Sequence, residues 1–422
     1  MREVNSSLTI VGLGYVGLPL AQEACGSGLR VVGLDTDPAV VSDLSTGLSH
    51  IDDIDSVDLA KMARAGFLAT TDSSCIRGSD VVVICVPTPL DEDGTPDLSA
   101  VKAAAATVSE NLQPGSLVVL ESTTYPGTTE DVVRPILEAG SGLIAGTDFW
   151  LAYSPERIDP GNPRWGLRNT PKVVGGLTPA CTKQAVQFYD QIVDTVVPTV
   201  GTREAELAKL LENTYRHVNI ALMNEMAVFC HELGIDLWAG IEAAKTKPFG
   251  FEAFYPGPGV GGHCIPIDPN YLSWVVRSVG YRFRFVELAE EISARMPAYV
   301  AQRVQDLLNV DKKPVNGSVV LLLGVTYKAN VRDQRETPAR PLAACLSTMG
   351  AEVRYFDPHA DTFTFNGREL VGEDDLEEAL GKADVSVLVQ AHNEIIESSA
   401  LKRARRILDT RGVLSGDNVE RL

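Results

Sequence analysis

One cysteine lies in a segment whose composition excludes both a helix and a central strand. Residues 256–269 surround Cys264 with four glycines and four prolines. Glycine lets a backbone approach a ligand closely, and proline restricts the backbone and removes a donor. Asp268-Pro269 predicts the start of a helix, and a helix N-terminus or a nearby cation makes a thiol more reactive. Cys264 is therefore a candidate nucleophile, and a cysteine packed as a small hydrophobic residue is the alternative.

The N-terminal residues predict a dinucleotide site. An apolar strand at 8–11 leads into a G-x-G-x-x-G sequence, a helix to about residue 25 and a second strand at 29–34 that ends at Asp35. In such a unit the glycines admit a pyrophosphate at the helix N-terminus, and the acid binds a ribose hydroxyl. Asp35 and Asp37 would repel a 2′-phosphate, so NAD is favoured over NADP; FAD and a turn without a ligand are the alternatives. The expected cofactor residues are Gly12, Gly14, Tyr15, Val16, Gly17 and Asp35.

Polar side chains follow three further apolar runs. The runs at 80–86, 116–120 and 149–153 predict buried parallel strands, and they end close to Thr88, Thr123 and Glu156-Arg157. Ligands of such sheets bind at the carboxyl ends of the strands. We therefore expect Thr123 and Glu156 to be functional. Turn capping is an equal interpretation for the threonines alone, and a surface ion pair is the alternative for Glu156 and Arg157.

A long helix is predicted over residues 203–234, where apolar residues recur at helical spacing without proline or glycine until Gly234. At 1.5 Å per residue it would be roughly 45 Å long, which suits a spine between two domains or a dimer interface. Lys209 and Asn213 are four residues apart and so share one face. On their own they are better explained as a lysine that extends to solvent beside a hydrogen-bonded asparagine.

A second α/β unit is predicted after the polar segment 311–317. A short helix at 235–247 and a helix at 285–308, with an expected break at Pro297, precede that segment. Strands are expected at 318–323, 353–357, 385–389 and 406–409, and a helix after Thr337. The turn that contains Lys328, Arg332 and Arg335 is basic, which suits a phosphate-bearing ligand. A solvated charge cluster with neighbouring acids is the alternative.

Composition limits the protein's class and partners. A chain of 422 residues predicts two or three domains, and its 45% hydrophobic and 22% charged content is typical of globular proteins. The net charge of −19 argues against nucleic acid and anionic membranes as partners. Seven cysteines without metal-like spacing predict free thiols in a reducing cytoplasm and no metal site. We expect neither a membrane span nor a signal peptide, because the corresponding apolar patterns are missing from the sequence.

A nicotinamide cofactor and an activated cysteine suit one particular chemistry. Oxidation of an alcohol to an aldehyde needs no cysteine. When the aldehyde must be oxidised further, thiolate attack gives a thiohemiacetal, hydride transfer to a second NAD gives a thioester, and hydrolysis gives an acid.

In this order, the motifs resemble those of the nucleotide-sugar dehydrogenases, the UDP-glucose/GDP-mannose dehydrogenase family. The resemblance covers nearly the whole chain and rests on Gly12–Gly17, Pro87-Thr88, Ser122-Thr123, Ser154–Glu156, Lys209 with Asn213, Gly261–Cys264 with Asp268, and Lys328 with Arg335. It implies four-electron oxidation of the C6 alcohol of a UDP-sugar, two NAD reduced per sugar, and a role in polysaccharide biosynthesis.

The resemblance also implies an α/β fold with two Rossmann-like, doubly wound parallel-sheet domains joined by the long helix. We expect an NAD-binding domain at 1–200, a central helical dimerisation domain with the cysteine loop at 201–312, and a UDP-sugar-binding domain at 313–422. A cytoplasmic homodimer or higher homo-oligomer is expected.

Residue roles follow from the same resemblance. Cys264 is the nucleophile, Lys209 and Asn213 stabilise oxyanions, Asp268 and Thr123 handle an ordered water and proton transfer, and Glu156 is the base for thioester hydrolysis. Adjacent residues of an extended segment point to opposite sides, so His263 is not expected to be the base for Cys264. The remaining cofactor contacts are Thr88, Thr123 and Arg335, and the expected substrate contacts are Glu156, Arg157, Lys209, Asn213, Tyr255, Gly261 and Lys328.

The sugar is indicated by the residues around Cys264. UDP-glucose enzymes of the family typically read G-F-G-G-S-C-F-P-K-D, whereas this chain has His263 and has Ile267 in place of the lysine. Residues 246–251 and 254–259 resemble the branch that acts on UDP-N-acetylhexosamines, especially UDP-N-acetylglucosamine. UDP-N-acetylmannosamine and UDP-glucose are alternatives. Alternatives of other classes are a two-electron β-hydroxyacid-type dehydrogenase and a non-catalytic NAD- or UDP-binding protein.

Overall fold

The computed structural model describes residues 7–51, 54–91, 94–159, 162–262 and 265–422. The chain forms two compact units, and each is built from two segments. The first contains Met1–Glu212 and Asn270–Tyr281, and the second contains Asn213–Pro269 and Arg282–Leu422. Among the described residues, every helix is too short or too polar to traverse a lipid bilayer.

The strands of the first unit arise from the short apolar runs of the sequence. They are β1 (Ser7–Val11), β2 (Arg30–Leu34), β3 (Leu68–Thr70), β4 (Val81–Ile84), β5 (Leu117–Leu120), β6 (Trp150–Tyr153), β7 (Lys172–Gly176) and β8 (Val196–Pro198). Within the described residues they form one eight-stranded sheet in the order β3-β2-β1-β4-β5-β6-β7-β8. All pairs are parallel except β6 with β7. The predicted parallel sheet is confirmed.

Helices cover both faces of this sheet. They are α1 (Gly17–Gly26), α2 (Pro38–Thr46), α3 (Ser56–Arg64), α4 (Ser99–Ser109), α5 (Arg134–Ser141) and α6 (Pro179–Tyr189), with helical turns at Ser73–Gly78 and Thr129–Val133. Alternate residues of the central strands enter two separate cores: Val81 and Val83 one, Val82 and Ile84 the other. Since β1 lies between β2 and β4, the strand order reverses at β1, and the carboxyl ends of β1 and β4 flank the expected ligand crevice.

Four helices follow, and two of them are long. They are α7 (Thr202–Glu232), α8 (Leu237–Lys245), α9 (Asp268–Ser278) and α10 (Arg284–Val310). The predicted long helix is confirmed by α7. The predicted break at Pro297 is wrong, because α10 continues through this residue. An internal proline costs a helix about 3 kcal/mol. Met296, Val300 and Val304 pack into one core beside it, and this burial stabilises the uninterrupted helix.

The second unit contains the second predicted α/β sheet. Its strands are β9 (Val319–Leu323), β10 (Glu352–Phe356), β11 (Thr362–Phe365), β12 (Arg368–Val371), β13 (Val385–Leu388), β14 (Ile407–Asp409) and β15 (Val419–Arg421). Its further helices are α11 (Ala339–Thr348), α12 (Leu376–Lys382) and α13 (Asn393–Ile396), with a helical turn at Ser399–Arg403. Five strands form a parallel sheet in the order β10-β9-β13-β14-β15, and β11 with β12 forms an antiparallel hairpin. The strand order reverses at β9, directly before the basic turn at 324–335.

Candidate active site

The glycine-rich turn between β1 and α1 combines tight packing with an open position. Gly12 has φ +93°, and a Cβ there would lie 2.8 Å from the carbonyl oxygen of Cys85. A Cβ on Gly17 would lie 1.9 Å from the carbonyl oxygen of Gly12, so these two positions exclude any larger residue. At Gly14, in contrast, a Cβ would meet no atom within 4 Å. The backbone at Gly14 is therefore accessible to a bulky anion at the start of α1, as the predicted pyrophosphate site requires.

Asp35 lies where the ribose of a dinucleotide is expected. Its Oδ2 accepts a hydrogen bond from the backbone N–H of Leu13 (2.8 Å), and its Oδ1 accepts one from the N–H of Asp37 (3.0 Å). These bonds hold the carboxylate at the end of β2 and leave further lone pairs for hydroxyl groups. Asp37 caps α2 through the N–H of Ala39. The open glycine backbone and the fixed carboxylate thus fit an NAD cofactor.

The predicted polar groups at the strand ends are brought together in the first unit. The Thr88 hydroxyl donates to the carbonyl of Thr123 (2.7 Å), and Lys209 of α7 donates to the Thr123 hydroxyl. Tyr271 of α9 donates to the carbonyl of Thr88. Thr88 and Lys209 are buried. The interpretation of Lys209 as a lysine extending to solvent is therefore wrong, because its ammonium is directed to the end of β5.

A buried glutamate that the sequence did not single out lies one turn before Lys209. Glu206 accepts hydrogen bonds from the N–H of Gly127 (2.6 Å), the N–H of Thr129 (2.9 Å) and the hydroxyl of Thr129 (2.7 Å). Burial raises its pKa to about 7, although these three hydrogen bonds oppose the rise. Glu206 thereby fixes this part of α7 to the segment that follows Thr123. Its only sequence signal was an acid on the apolar part of a helix.

Glu156 is held by backbone and side-chain contacts within the first unit. Its Oε1 accepts from the N–H groups of Arg157 (2.7 Å) and Ile158 (2.7 Å), and its Oε2 lies 3.5 Å from Nζ of Lys172. Arg157 instead pairs with Glu212 through two hydrogen bonds of 3.2 and 2.6 Å. The alternative of an ion pair between Glu156 and Arg157 is therefore wrong.

In the second unit, α7 holds the segment that follows Cys264. Asn213 donates to Oδ2 of Asp268 (2.7 Å), and Nδ1 of His217 lies 3.1 Å from the carbonyl oxygen of Ile265. Burial lowers the pKa of His217, which favours the neutral ring. Helix α9 begins at Asp268, which the sequence predicts as the N-cap, with Pro269 as the first helical residue. His263 and Cys264 lie outside the described residues.

The residues before Cys264 pack against the basic turn of the second unit. The N–H of Gly262 donates to the carbonyl of Arg335 (3.2 Å). A Cβ on Gly261 would lie 2.8 Å from the carbonyl oxygen of Glu336 and 2.9 Å from Cβ of Tyr327. Glycine at this position therefore permits a close approach to the turn that carries Lys328 and Arg335, whereas the predicted approach was to a ligand.

This basic turn is held by side chains from the neighbouring strand ends. The carbonyl of Lys328 accepts from the Thr326 hydroxyl (2.9 Å), and the guanidinium of Arg335 pairs with Asp333 at 2.5 Å. Nδ1 of buried His392 accepts a hydrogen bond from the N–H of Asn330 (2.9 Å), and its Nε2 lies 3.1 Å from Oδ2 of Asp357. Asp357 follows β10 and His392 follows β13, so side chains after the ends of two strands hold the turn that carries Lys328 and Arg335.

The aromatic side chain of Tyr255 and the cationic side chain of Arg411 lie at the loop before Cys264. Tyr255 donates to Glu242 (2.6 Å) and stacks on Trp238, with ring centroids 5.6 Å apart. Arg411, which the sequence did not single out, follows the carboxyl end of β14. Its Nε donates to the carbonyl of Val389 (2.8 Å), and a Cβ on Gly257 would lie 3.1 Å from its Nη1. Burial lowers the pKa of Arg411 to about 10. An arginine at a strand end was the available signal.

Comparisons with known proteins agree with this arrangement. Residues 6–193, 203–295 and 321–416 match the NAD binding, central and UDP binding domains of the UDP-glucose/GDP-mannose dehydrogenase family. UDP-N-acetyl-D-glucosamine 6-dehydrogenase of Pseudomonas aeruginosa is 37% identical over 83% of this chain and 82% of its own. NDP-N-acetyl-D-galactosaminuronic acid dehydrogenase of Ralstonia nicotianae is 33% identical over 98% and 97% of the two chains.

A solved structure shares the fold over nearly the full length. UDP-D-ManNAc dehydrogenase of Pyrococcus horikoshii superposes with a TM-score of 0.89 at 33% identity, covering 98% of each chain. With these matches and the NAD-compatible turn at Gly12–Gly17, the chain belongs to the UDP-glucose/GDP-mannose dehydrogenase family of NAD-dependent oxidoreductases that act on nucleotide sugars.

Proposed function

We propose that the protein oxidises the C6 alcohol of a UDP-N-acetylhexosamine, UDP-N-acetylglucosamine in the first place, to the carboxylate. The balanced reaction consumes one alcohol, one water and two NAD⁺, and it yields one carboxylate, two NADH and three protons. The contacts of two residues on consecutive turns of α7 carry this proposal: Lys209 donates to Thr123, and Asn213 donates to Asp268. In each unit, a donor of α7 thus lies beside a residue that is expected to act in catalysis.

The residue roles follow from the chemistry of each group. NAD held at the Gly12–Gly17 turn and Asp35 would supply the hydride acceptor for both oxidations of C6. Cys264 adds to the aldehyde carbon through sulfur, and the Lys209 ammonium and the Asn213 amide stabilise the resulting oxyanion. Thr123 and Asp268 orient the hydroxyl and water protons. In the last step water adds to the thioester carbon, the C–S bond breaks, the thiolate of Cys264 leaves, and Glu156 takes the water proton.

Two features support a UDP-sugar with an acetamido group. The residues at 321–416 match a domain described as UDP binding, and the basic turn at 324–335 lies within that range. Residues 246–251 and 254–259 resemble the N-acetylhexosamine branch, and Ile267 replaces the lysine that is typical of UDP-glucose enzymes. The relative from P. aeruginosa is named for UDP-N-acetyl-D-glucosamine. We assign Lys328 to the nucleotide and Arg335 to the cofactor. The guanidinium of Arg411 is suited to the diphosphate, because it lies at the Gly257 loop with Nη1 directed there.

A stoichiometric assay tests the proposed reaction. UDP-N-acetylglucosamine, UDP-N-acetylmannosamine, UDP-N-acetylgalactosamine and UDP-glucose are each supplied in limiting amount with excess NAD, and NADH is read at completion. We expect two NADH per UDP-N-acetylglucosamine, with the highest kcat/KM for this sugar. One NADH per sugar with an aldehyde product would contradict the four-electron reaction, and no NADH from any of the four would contradict the function as a whole.

We propose that the protein is a homodimer joined through α7. Five large apolar side chains of this helix are between 40% and 61% exposed, and they recur at spacings of four and seven residues: Leu207, Leu211, Tyr215, Leu222 and Phe229. Such a spacing places them along one side of a helix. These five side chains form an exposed apolar stripe, which can pack against the same stripe of a second copy in a self-complementary two-fold interface.

Replacement of two of these residues by acids is expected to separate the protomers. We expect wild-type protein to sediment as a species with twice the 45.4 kDa mass of one chain. The double variant Leu222→Glu/Phe229→Glu should sediment as a species with the mass of one chain. Val57→Glu is the matched control, because Val57 is an exposed apolar residue on α3 outside the stripe. Analytical ultracentrifugation distinguishes the species, and a double variant that remains dimeric would contradict this interface.

A further inference from the structure

A lysine lies between two carboxylates in the interior of the first unit. Lys172, on β7, has its Nζ 3.0 Å from Oε2 of Glu121 and 3.5 Å from Oε2 of Glu156. Glu121 follows β5 directly and is 1% exposed, and Lys172 is 4% exposed. Lys172 and Glu121 belong to no motif, and neither was expected to be functional. Removal of such charges from water is costly unless they are paired, so this cluster requires a compensating reason.

Among the residues that the structure describes, the other groups around the cluster do not neutralise it. Tyr189 of α6 donates its hydroxyl to Glu121, and Lys172 lies 5.3 Å from the centre of the Tyr189 ring. Burial raises the pKa of the Cys85 thiol well above its ordinary value, so that this side chain is neutral. Arg157 directs its guanidinium to Glu212 and to the carbonyl of Pro171. Two carboxylates therefore share one ammonium.

The three charges depend on one another. Burial and the neighbouring Glu156 carboxylate raise the pKa of Glu121, whereas Lys172 opposes the rise. Burial acts to lower the pKa of Lys172, but the two carboxylates outweigh it and the pKa is raised. Lys172 thus stays charged, and without it the two glutamates would be left with uncompensated negative charge. The loss of this cation would favour proton uptake by the pair of carboxylates.

We propose that Lys172 is a positioning residue for Glu156, whose carboxylate its ammonium holds in place while the same ammonium also contacts Glu121. This inference rests on the proposed function, in which Glu156 takes the proton of the water that attacks the thioester. The second oxygen of Glu156 is bound by the two N–H groups of residues 157 and 158, and this leaves the carboxylate little freedom to turn. Because Glu121 contacts the same ammonium, it weakens the attraction between Lys172 and Glu156.

The pH dependence of the hydrolytic step separates this role from a structural one. A base works only when ionised, so the rate falls on the acid side of its titration. Lys172→Met removes the cation, and we expect the acid limb of the kcat profile to move to higher pH by at least about one unit. At pH values below the limb, kcat should therefore fall about tenfold. Lys172→Met/Glu121→Gln also removes the competing carboxylate, and the limb should return towards the wild-type position. Glu121→Gln alone should move the limb to lower pH, because Glu156 then has the ammonium to itself.

The experiment compares these three variants with wild type between pH 5.5 and 9.5, using the UDP-sugar that wild type oxidises. Slow hydrolysis should also give Lys172→Met a rapid burst of two NADH per active site before steady turnover. Lys183→Met is the matched control, since Lys183 is an exposed lysine on α6, the helix that carries Tyr189. Thermal unfolding midpoints report the folding of each variant, and if Lys172→Met does not fold, the shift in Glu121→Gln decides.

The outcomes are separable from those of the proposed function. An equal loss of kcat at every pH in Lys172→Met, or no downward shift in Glu121→Gln, would overturn the positioning role while wild type still gives two NADH per sugar. No NADH from wild type with any UDP-sugar would instead overturn the proposed function, and the inference would fall with it.

Discussion

Replacement of Cys264 by alanine is expected to abolish formation of the acid, with a loss of at least about 10⁴-fold in turnover. Without the thiol, neither the thiohemiacetal nor the thioester can form. The first oxidation needs no sulfur, so the aldehyde should still be produced at one NADH per sugar. Because that first equilibrium is unfavourable, hydroxylamine is added to trap the aldehyde. Mass spectrometry of the trapped product and NADH absorbance measure the two quantities together.

A second cysteine provides the control for this substitution. Cys345 is a partly exposed free thiol on α11, and Cys345→Ala should retain two NADH per sugar. If Cys264→Ala still formed the acid at the wild-type rate, the thioester route would be wrong. A two-electron dehydrogenase would then be the better description of the activity, since it gives the cysteine loop no chemical role.

Replacement of Lys209 by methionine is expected to lower kcat by about 10²–10³-fold, the loss typical of one missing oxyanion donor. The side chain is 7% exposed and its ammonium contacts the Thr123 hydroxyl at the end of β5, so methionine preserves the packing and removes the charge and the donor. KM should change less than kcat, because the oxyanion exists only after the substrate has begun to react. Steady-state kinetics with the preferred UDP-sugar give both constants.

The matched control is Lys102→Met, which removes an exposed lysine from α4 in the same unit. It should leave kcat within about twofold, and its unfolding midpoint serves as the reference for a methionine substitution. A Lys209→Met enzyme with nearly full kcat would contradict the oxyanion role. Arginine is not expected to restore the rate at this position, because its planar guanidinium cannot replace a compact ammonium in a buried site.

The elements that carry local patterns were predictable. In the turn at 12–17, Gly12 and Gly17 have no room for a Cβ, and this requirement appears directly in the residue types. Helix α7 shows its apolar period over 31 residues, and the buried strands show as short apolar runs. The break predicted at Pro297 failed because the energy of packing α10 into its core does not appear in a local pattern.

In the candidate site, too, local patterns were predictable from the sequence and long-range contacts were not. Residue types and order predicted the cofactor turn, the polar strand ends and the basic turn, since each follows a strand whose end is visible in the sequence. Lys209 and Asn213 lie inside α7, and only the family resemblance predicted a role for them. The ion pair of Lys172 with Glu121 joins residues 51 positions apart. Lys172 lies on β7 and Glu121 directly follows β5, and these two strands are not neighbours in the sheet. Arg411 meets the Gly257 loop from another strand end. These contacts depend on sheet order and on burial, which long-range packing decides and no spacing along the chain encodes.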